Sequence, residues 1–283
     1  MTTSRLSEKF DFLGTNCRPG LVTFLTAGDP NLEISHKILH QLPGAGADII
    51  ELGMPFSDPM ADGPIIQASG QRALSAGMNM RKIFSMVTTF RDRDQETPIV
   101  LMGYYNPVYI YGVENFIKDA ETAGVDGLII VDLPLEENEM QDALDGSSID
   151  FIYLIAPTTD DDRLQKIVEC ASGFIYYVSV TGITGTKKAI SKDVEAAVAR
   201  LRQFTNLPIA VGFGIKSPEQ AAQIAHYADA AVVGSALVSR VAENLDRDGK
   251  PTSACVTDVL DLVGQLAEGI RSVYKRVKED TAE

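Results

Sequence analysis

The apolar positions of this chain fall into short, nearly continuous runs, each followed by a longer stretch in which apolar residues recur at helical spacing. The runs are LVTFLT (21–26), DIIEL (48–52), IVLMGY (99–104), GLIIV (127–131), FIYLIA (151–156), FIYYVSV (174–180), PIAVGF (208–213) and DAAVVG (229–234). Continuous apolar character, rather than strict alternation, predicts parallel strands covered on both faces. The intervening segments predict helices. In SKDVEAAVARLRQF (191–204), Val194, Ala197, Val198 and Leu201 share one stripe, with Ser191 as the expected N-cap. In SPEQAAQIA (217–225), Ser217 is the expected N-cap, Pro218 opens the helix and Gln220 closes a capping box. Eight strand–helix units with no Pro/Ser-rich linker predict a single α/β domain, a closed (β/α)8 TIM barrel over 1–283 with extra short helices. Residues 1–15 read as an N-terminal helical extension and 272–283 as a fraying C-terminal end. An open doubly wound sheet is the alternative, and it needs fewer strands or a clear break.

Composition narrows the class. A formal net charge of −14 argues against nucleic acid and against an anionic membrane surface. No apolar stretch approaches the roughly 20 residues that span a bilayer, and the polar start MTTSRLSEKFDFLG lacks a signal-peptide core. Cys17, Cys170 and Cys255 are odd in number and widely spaced, so a disulfide framework or zinc site is not expected and a reducing cytosol is.

In a barrel, chemistry belongs where strands end and the following loops begin. Glu51 closes the second run and leads into ELGMPFSDPMADGP (51–64), which adds Asp58 and Asp62. Asp132 ends the fourth run. Glu51, Asp62 and Asp132 are therefore the candidates for proton transfer, because apolar surroundings raise a carboxyl pKa toward neutrality. Each also has a structural reading. Glu51 can pair with a Lys or Arg, Asp62 can favour the N-terminus of a helix opened by Pro64, and Asp132 can be a cap or turn residue. His36 and His40 stand i, i+4 with no third metal ligand in view, and no lysine lies within any strand candidate. Schiff-base, metal and GxSxG chemistry therefore lack their residues.

An anion held by so acidic a chain needs peptide donors. GFGIKSP (212–218) and GSALV (234–238) follow the seventh and eighth strands, where barrels frequently build a phosphate site, with Gly214, Gly234 and Ser235 as anchors. VTGITGTKKA (180–189) reads as a lid, with Gly185 as a further donor, or as a surface loop.

Taken together, ELGMPFSDPMADGPIIQ, FLTAGDP (24–30), VDLPLEE (131–137), VTGITG (180–185), GFGI (212–215) and GSALV resemble, in order, the motifs of the tryptophan synthase alpha chain family. The resemblance implies a barrel that cleaves indole-3-glycerol phosphate to indole and glyceraldehyde 3-phosphate. It implies no cofactor in this chain, and a beta-chain partner that carries pyridoxal phosphate in an αββα assembly. On matching positions it implies Glu51 and Asp62 as the catalytic pair, and Phe24, Tyr104, Ile129, Tyr176 and Phe213 around the indole or the reacting side chain. Gly185, Gly214, Gly234 and Ser235 match the phosphate cradle, and Thr184 the lid residue that meets the aspartate on closure. Asp58 falls in the loop that faces the beta chain. Met54 and Met60 stand where Ile and Leu are frequent, and Val180 where some members have a basic residue. Another phosphosugar barrel and a non-catalytic phosphometabolite-binding barrel are the rival readings.

Overall fold

The N-terminal helix α1 (Arg5–Thr15) leads into β1 (Gly20–Thr26), α2 (Leu32–Ala45) and β2 (Ile49–Gly53). Two helices, α3 (Pro64–Ser75) and α4 (Met80–Arg91), precede β3 (Ile99–Gly103), and two more, α5 (Tyr105–Tyr111) and α6 (Val113–Ala123), precede β4 (Gly127–Ile130). Then come α7 (Asn138–Leu144), β5 (Asp150–Phe151), β6 (Leu154–Ile155), α8 (Asp161–Cys170), β7 (Ile175–Val178) and α9 (Lys187–Leu201). The chain ends with β8 (Ile209–Gly212), α10 (Pro218–Ala225), β9 (Ala230–Val233), α11 (Ser235–Glu243) and α12 (Cys255–Asp280). This computed structural model describes residues 4–178, 187–212 and 214–280.

All pairings are parallel, in the order β5-β4-β3-β2-β1-β9-β8-β7-β6. The two ends of that order, β5 and β6, are halves of one segment, so the sheet returns on itself as a barrel. The segment changes partner at its middle: the Ile152 N–H donates to the Leu128 carbonyl (2.9 Å), and the Tyr153 carbonyl accepts from the Tyr176 N–H (3.1 Å). The eight predicted strands are thus the eight staves of the barrel, the fifth being split.

Alternation along each strand divides the apolar residues into two cores. Val22, Ile49, Val100, Ile129, Ile152, Phe174, Ala210, Ala230 and Val232 fill the barrel interior, and Leu6, Phe10 and Leu13 of α1 close its lower end. The opposite faces of the strands pack under the helices in a second, larger cluster. Within the 1–15 extension, helix α1 is therefore the plug of the barrel.

The strands are fastened at that lower end by aspartates immediately before them. Asp48 accepts from the Leu21 N–H of β1 (2.9 Å) and pairs with Arg18 through both oxygens (2.9 and 2.6 Å). Asp126 accepts from the Ile99 N–H of β3 (2.7 Å) and pairs with Arg91 and Arg5. Asp229 accepts from the Ile209 N–H of β8 (2.6 Å) and pairs with Arg202. Conserving charge balance in the Arg91–Asp126 pair matters most, because both side chains are buried. Asp126→Asn leaves the Arg91 cation without its counter-charge, and the expected loss is about 3–5 kcal/mol in urea unfolding. A loss below about 1 kcal/mol, the range of an exposed pair, would contradict this assignment.

Three local expectations change. Helix α9 begins at Lys187, so Ser191 lies inside it rather than capping it, although Val194, Val198 and Leu201 are buried as predicted. Ser217 caps α10, but the Gln220 side chain accepts from the Lys216 N–H (2.7 Å) and not from that of Ser217, so the capping box is displaced by one residue. The terminal helix α12 continues to Asp280 through most of the stretch expected to fray.

Candidate active site

On β2, Ile50 and Leu52 belong to the outer core and Ile49 to the barrel interior. Glu51 therefore points inward, level with Phe24 of β1 and Val100 of β3. It is 1% exposed, and among the described residues neither carboxylate oxygen has a hydrogen-bond partner. The ion-pair reading of Glu51 fails on this observation. Burial without compensation pushes its pKa from 4.5 up to about 8.

That displacement has a cost in stability whose sign is fixed. An unfolded chain releases the Glu51 proton near 4.5, whereas the folded chain holds it to about 8. The favourable contribution is complete below 4.5 and is lost progressively as pH rises toward 8. At about 1.4 kcal/mol per pKa unit this amounts to a few kcal/mol. Urea unfolding at pH 5 and pH 8 is expected to show this decline in the native protein and a flatter profile in Glu51→Gln. Parallel profiles would contradict it.

Asp62 approaches from the loop after β2. Gly63, not Asp62, is the N-cap of α3, with no side-chain cap bond, so the helix-favouring reading of Asp62 is not needed. The loop is clamped from two sides. Gln67 Nε2 donates to the carbonyls of Asp62 (2.9 Å) and Pro59 (3.3 Å), while the Ala61 N–H donates to Tyr104 Oη (3.0 Å). Burial raises the Asp62 pKa, opposed by the nearby Tyr104 hydroxyl. Helix α3 is itself held by the Arg72–Asp29 pair (2.7 and 2.8 Å) and by a Thr26–Ser69 hydroxyl contact (2.6 Å).

Asp62, Phe24 and Tyr104 line a cleft of about 380 Å³ at the tips of β1, β2 and β3, together with Phe56, Met102 and Val131. Glu51 lies one layer below its floor, two residues before the cleft-lining Gly53. Gly53 leaves room for Phe24, whose ring stands 2.6 Å from where a Cβ would be. Ile129 is fully buried in the interior beneath Val131. Tyr176 packs against the same interior, and burial, then the nearby Glu51, raises its pKa well above the ordinary tyrosine value.

The glycine anchors stand on the other side of Phe24. Strand β9 neighbours β1, and a Cβ on Gly234 would lie 3.2 Å from the Phe24 Cβ. Gly234 and Ser235 form the start of α11, where the first N–H groups lack intrahelical acceptors. Gly214 follows β8 with φ +61°, a conformation that favours glycine. Phe24 is thus the wall shared by the cleft and the glycine-bearing rim. Thr184, Gly185 and Phe213, and most of the predicted lid, lie outside the described residues.

Other candidates resolve into structure. Asp132 is exposed and accepts from the Tyr105 N–H (2.7 Å), so it caps α5. Asp58 is exposed and accepts from the Ser57 hydroxyl (2.5 Å). His36 and His40 stack on each other with ring centroids 5.8 Å apart, and His40 rests against Phe90. Among the described residues no His, Cys, Asp and Glu side chains gather as a metal site, and no helix is long and apolar enough to cross a membrane. Sequence reasoning missed Gln67 and Phe56 as loop supports. Gln67 stands at the end of the ADGPIIQ stretch, one turn into α3, where a side chain can reach back over the preceding loop.

A family model described as tryptophan synthase alpha chain matches residues 10–270. The structure of tryptophan synthase subunit alpha from Legionella pneumophila str. Paris is 37% identical, with a TM-score of 0.87 over 96% of this chain and 100% of that one. A structure from Aquifex aeolicus VF5 is 36% identical, with a TM-score of 0.84 over 94% and 99%. Tryptophan synthase from M. tuberculosis in its aminoacrylate-bound form is 35% identical, with a TM-score of 0.82 over 95% and 100%. By the extent of these matches, over a barrel with one acid in its second strand and another in the loop that follows, the chain belongs to the tryptophan synthase alpha chain family.

Proposed function

We propose that the cleft at the tips of β1 to β3 is where the chain carries out the family's reaction, with Glu51 and Asp62 as its proton-handling pair. That reaction is the retro-aldol cleavage of indole-3-glycerol phosphate to indole and glyceraldehyde 3-phosphate. The observation that carries the assignment is the Glu51 carboxyl, buried, without a hydrogen-bond partner among the described residues and with a pKa near 8, beneath a cleft edged by Asp62. An unpaired buried acid is costly, and catalytic need is the ordinary reason for keeping one.

The bond that breaks joins indole C3 to the carbinol carbon of the glycerol phosphate. Its electron pair stays with the indole, C3 gains a proton, and the carbinol hydroxyl loses its proton to become the aldehyde. Asp62 accepts the hydrogen bond of the ring N–H and stabilises the positive charge that protonation of C3 places on the ring. Glu51 takes the carbinol hydroxyl proton and passes it to C3 as the C–C bond opens, so the proton lost by oxygen is the one gained by carbon and Glu51 ends as it began. The phosphate lies across Phe24, on the donors of Gly214, Gly234 and Ser235, and the family resemblance assigns Gly185 to the same cradle and Thr184 to contact with Asp62. Ile129 and Tyr176 complete the apolar surroundings of the ring, a role the family resemblance also gives to Phe213. Binding at the phosphate end aligns the bond that breaks.

Members of this family pair with a beta chain, which carries the pyridoxal phosphate, and the alpha chain needs no cofactor of its own. We read residues 1–283 as one barrel domain working in an αββα heterotetramer in the cytosol. The unpaired Cys17, Cys170 and Cys255 support that compartment. Indole formation from indole-3-glycerol phosphate, measured with and without a beta chain, tests the assignment. Its complete absence in both would contradict it.

A further inference from the structure

Helix α3 begins without a side-chain cap. Gly63 stands at the N-cap position and Pro64 opens the helix. The loop before it, which carries Asp62, is equally short of packing, since Met60 is 81% exposed and Ala61 is exposed too. Inside the loop, the Met60 N–H donates to the Asp58 carbonyl (2.9 Å) and the Asp62 N–H to the Pro59 carbonyl (3.1 Å). These bonds close a tight turn over residues 59–62, but they do not tie it to the barrel.

Gln67 ties it. Its Nε2 donates to the carbonyls at both ends of the turn, Asp62 (2.9 Å) and Pro59 (3.3 Å). A primary amide has two N–H groups, one for each carbonyl. The Asp62 carbonyl carbon is bonded to the Cα that bears the side chain, so holding this carbonyl sets where the carboxyl starts. The helix that supplies the amide is fixed in turn. Two residues beyond Gln67, the Ser69 hydroxyl meets that of Thr26 at the end of β1 (2.6 Å). Five residues beyond it, Arg72 pairs with both oxygens of the buried Asp29 (2.7 and 2.8 Å). Ile66 and Gly70 of the same helix line the cleft. A continuous line of bonds therefore runs from β1 through α3 to the Asp62 backbone.

We propose that Gln67 is a positioning residue for Asp62, its amide clipping the two ends of the 59–62 turn to α3 and so holding the carboxyl over the cleft. The inference rests on the role given to Asp62 under Proposed function. Both carbonyls belong to an exposed loop and can turn to water, so losing the clip loosens the turn without breaking the barrel. A carboxyl that must be brought back into place at each turnover costs rate rather than substrate affinity.

Gln67→Met keeps the length of the side chain and removes both donors. In the enzyme assembled with a beta chain it is expected to lower kcat by about tenfold, the scale of one or two neutral hydrogen bonds. KM is expected to stay within about threefold, and glycerol phosphate affinity within about twofold, because the rim proposed to hold phosphate lies on the other side of Phe24. Gln67→Glu is expected to lose more than Gln67→Met, since it turns a carboxylate on two carbonyl oxygens. Gln71→Met, at an exposed position of the same helix, is expected to leave kcat unchanged. In an Asp62→Asn background, Gln67→Met is expected to cost less than about twofold, because the group it positions is gone. Native turnover in both Gln67 variants, a loss confined to KM, or an undiminished loss in the Asp62→Asn background overturns the positioning role. Native turnover in Asp62→Asn alone overturns the assignment of Asp62 itself, a result distinct from the failure of Gln67.

Discussion

Glu51→Gln is expected to reduce indole release by about 10²- to 10⁴-fold, the usual range for removing a general acid or base. The substitution is close to isosteric, so Phe24, Val100 and the interior apolar packing stay in place while the group that exchanges a proton is lost. The rim proposed to hold phosphate lies across Phe24 from Glu51, so affinity for glycerol phosphate is expected to change little. The native kcat/KM profile carries a second mark. With a pKa of about 8 in the free protein, a Glu51 that acts as base gives a rate that climbs with pH and levels above that value. The residual activity of the variant is expected to lack that limb. Steady-state indole assays between pH 6 and 9 check both points, and turnover within about twofold of native would remove Glu51 from the chemistry.

The second large effect is at the opposite wall. Gly234→Asp puts a carboxylate at the start of α11, beside the N–H groups proposed to hold phosphate, and its Cβ would press on Phe24 at 3.2 Å. Gly234 has φ −120°, so the backbone itself accepts a side chain, and the damage comes from charge and volume. Two like charges about 4 Å apart repel by about 4 kcal/mol at an effective dielectric of 20, which corresponds to roughly a thousandfold loss of phosphate affinity. Gly234→Ala adds only the methyl group and retains every N–H donor, so a much smaller loss is expected. Titration calorimetry with glycerol phosphate distinguishes them. Equal affinity in native and Asp variants would place the phosphate elsewhere.

The barrel was legible because its determinants are local. Strands covered on both faces need continuous apolar runs, and Val194, Val198 and Leu201 announced a buried helical stripe. What depended on partners far along the chain was not legible. The split of the fifth strand at Ile152 and Tyr153 is decided by Leu128 and Tyr176, not by its own residues. Asp132 looked as able to move protons as Asp62 did, and only the placement of the Tyr105 N–H made it a cap. Ser191 carried a cap-forming side chain, but α9 begins a turn earlier, at Lys187. The lower-end aspartates Asp48, Asp126 and Asp229 recur visibly in GAD, GVD and YAD, yet their arginine and N–H partners come from distant parts of the chain. For Glu51, the place in the second strand was readable, although it stands mid-strand rather than at the end, whereas its lack of a partner among the described residues required the interior to be known.

The central claim is that the two acids act on one bound molecule, and a crystal structure with a non-cleavable analogue of indole-3-glycerol phosphate tests it most directly. The expected complex has the ring in the cleft, its N–H donating to Asp62, and the Glu51 carboxyl within about 3.2 Å of the carbinol oxygen. An analogue bound with Glu51 still sealed beneath the floor, or with the ring turned away from Asp62, would contradict it.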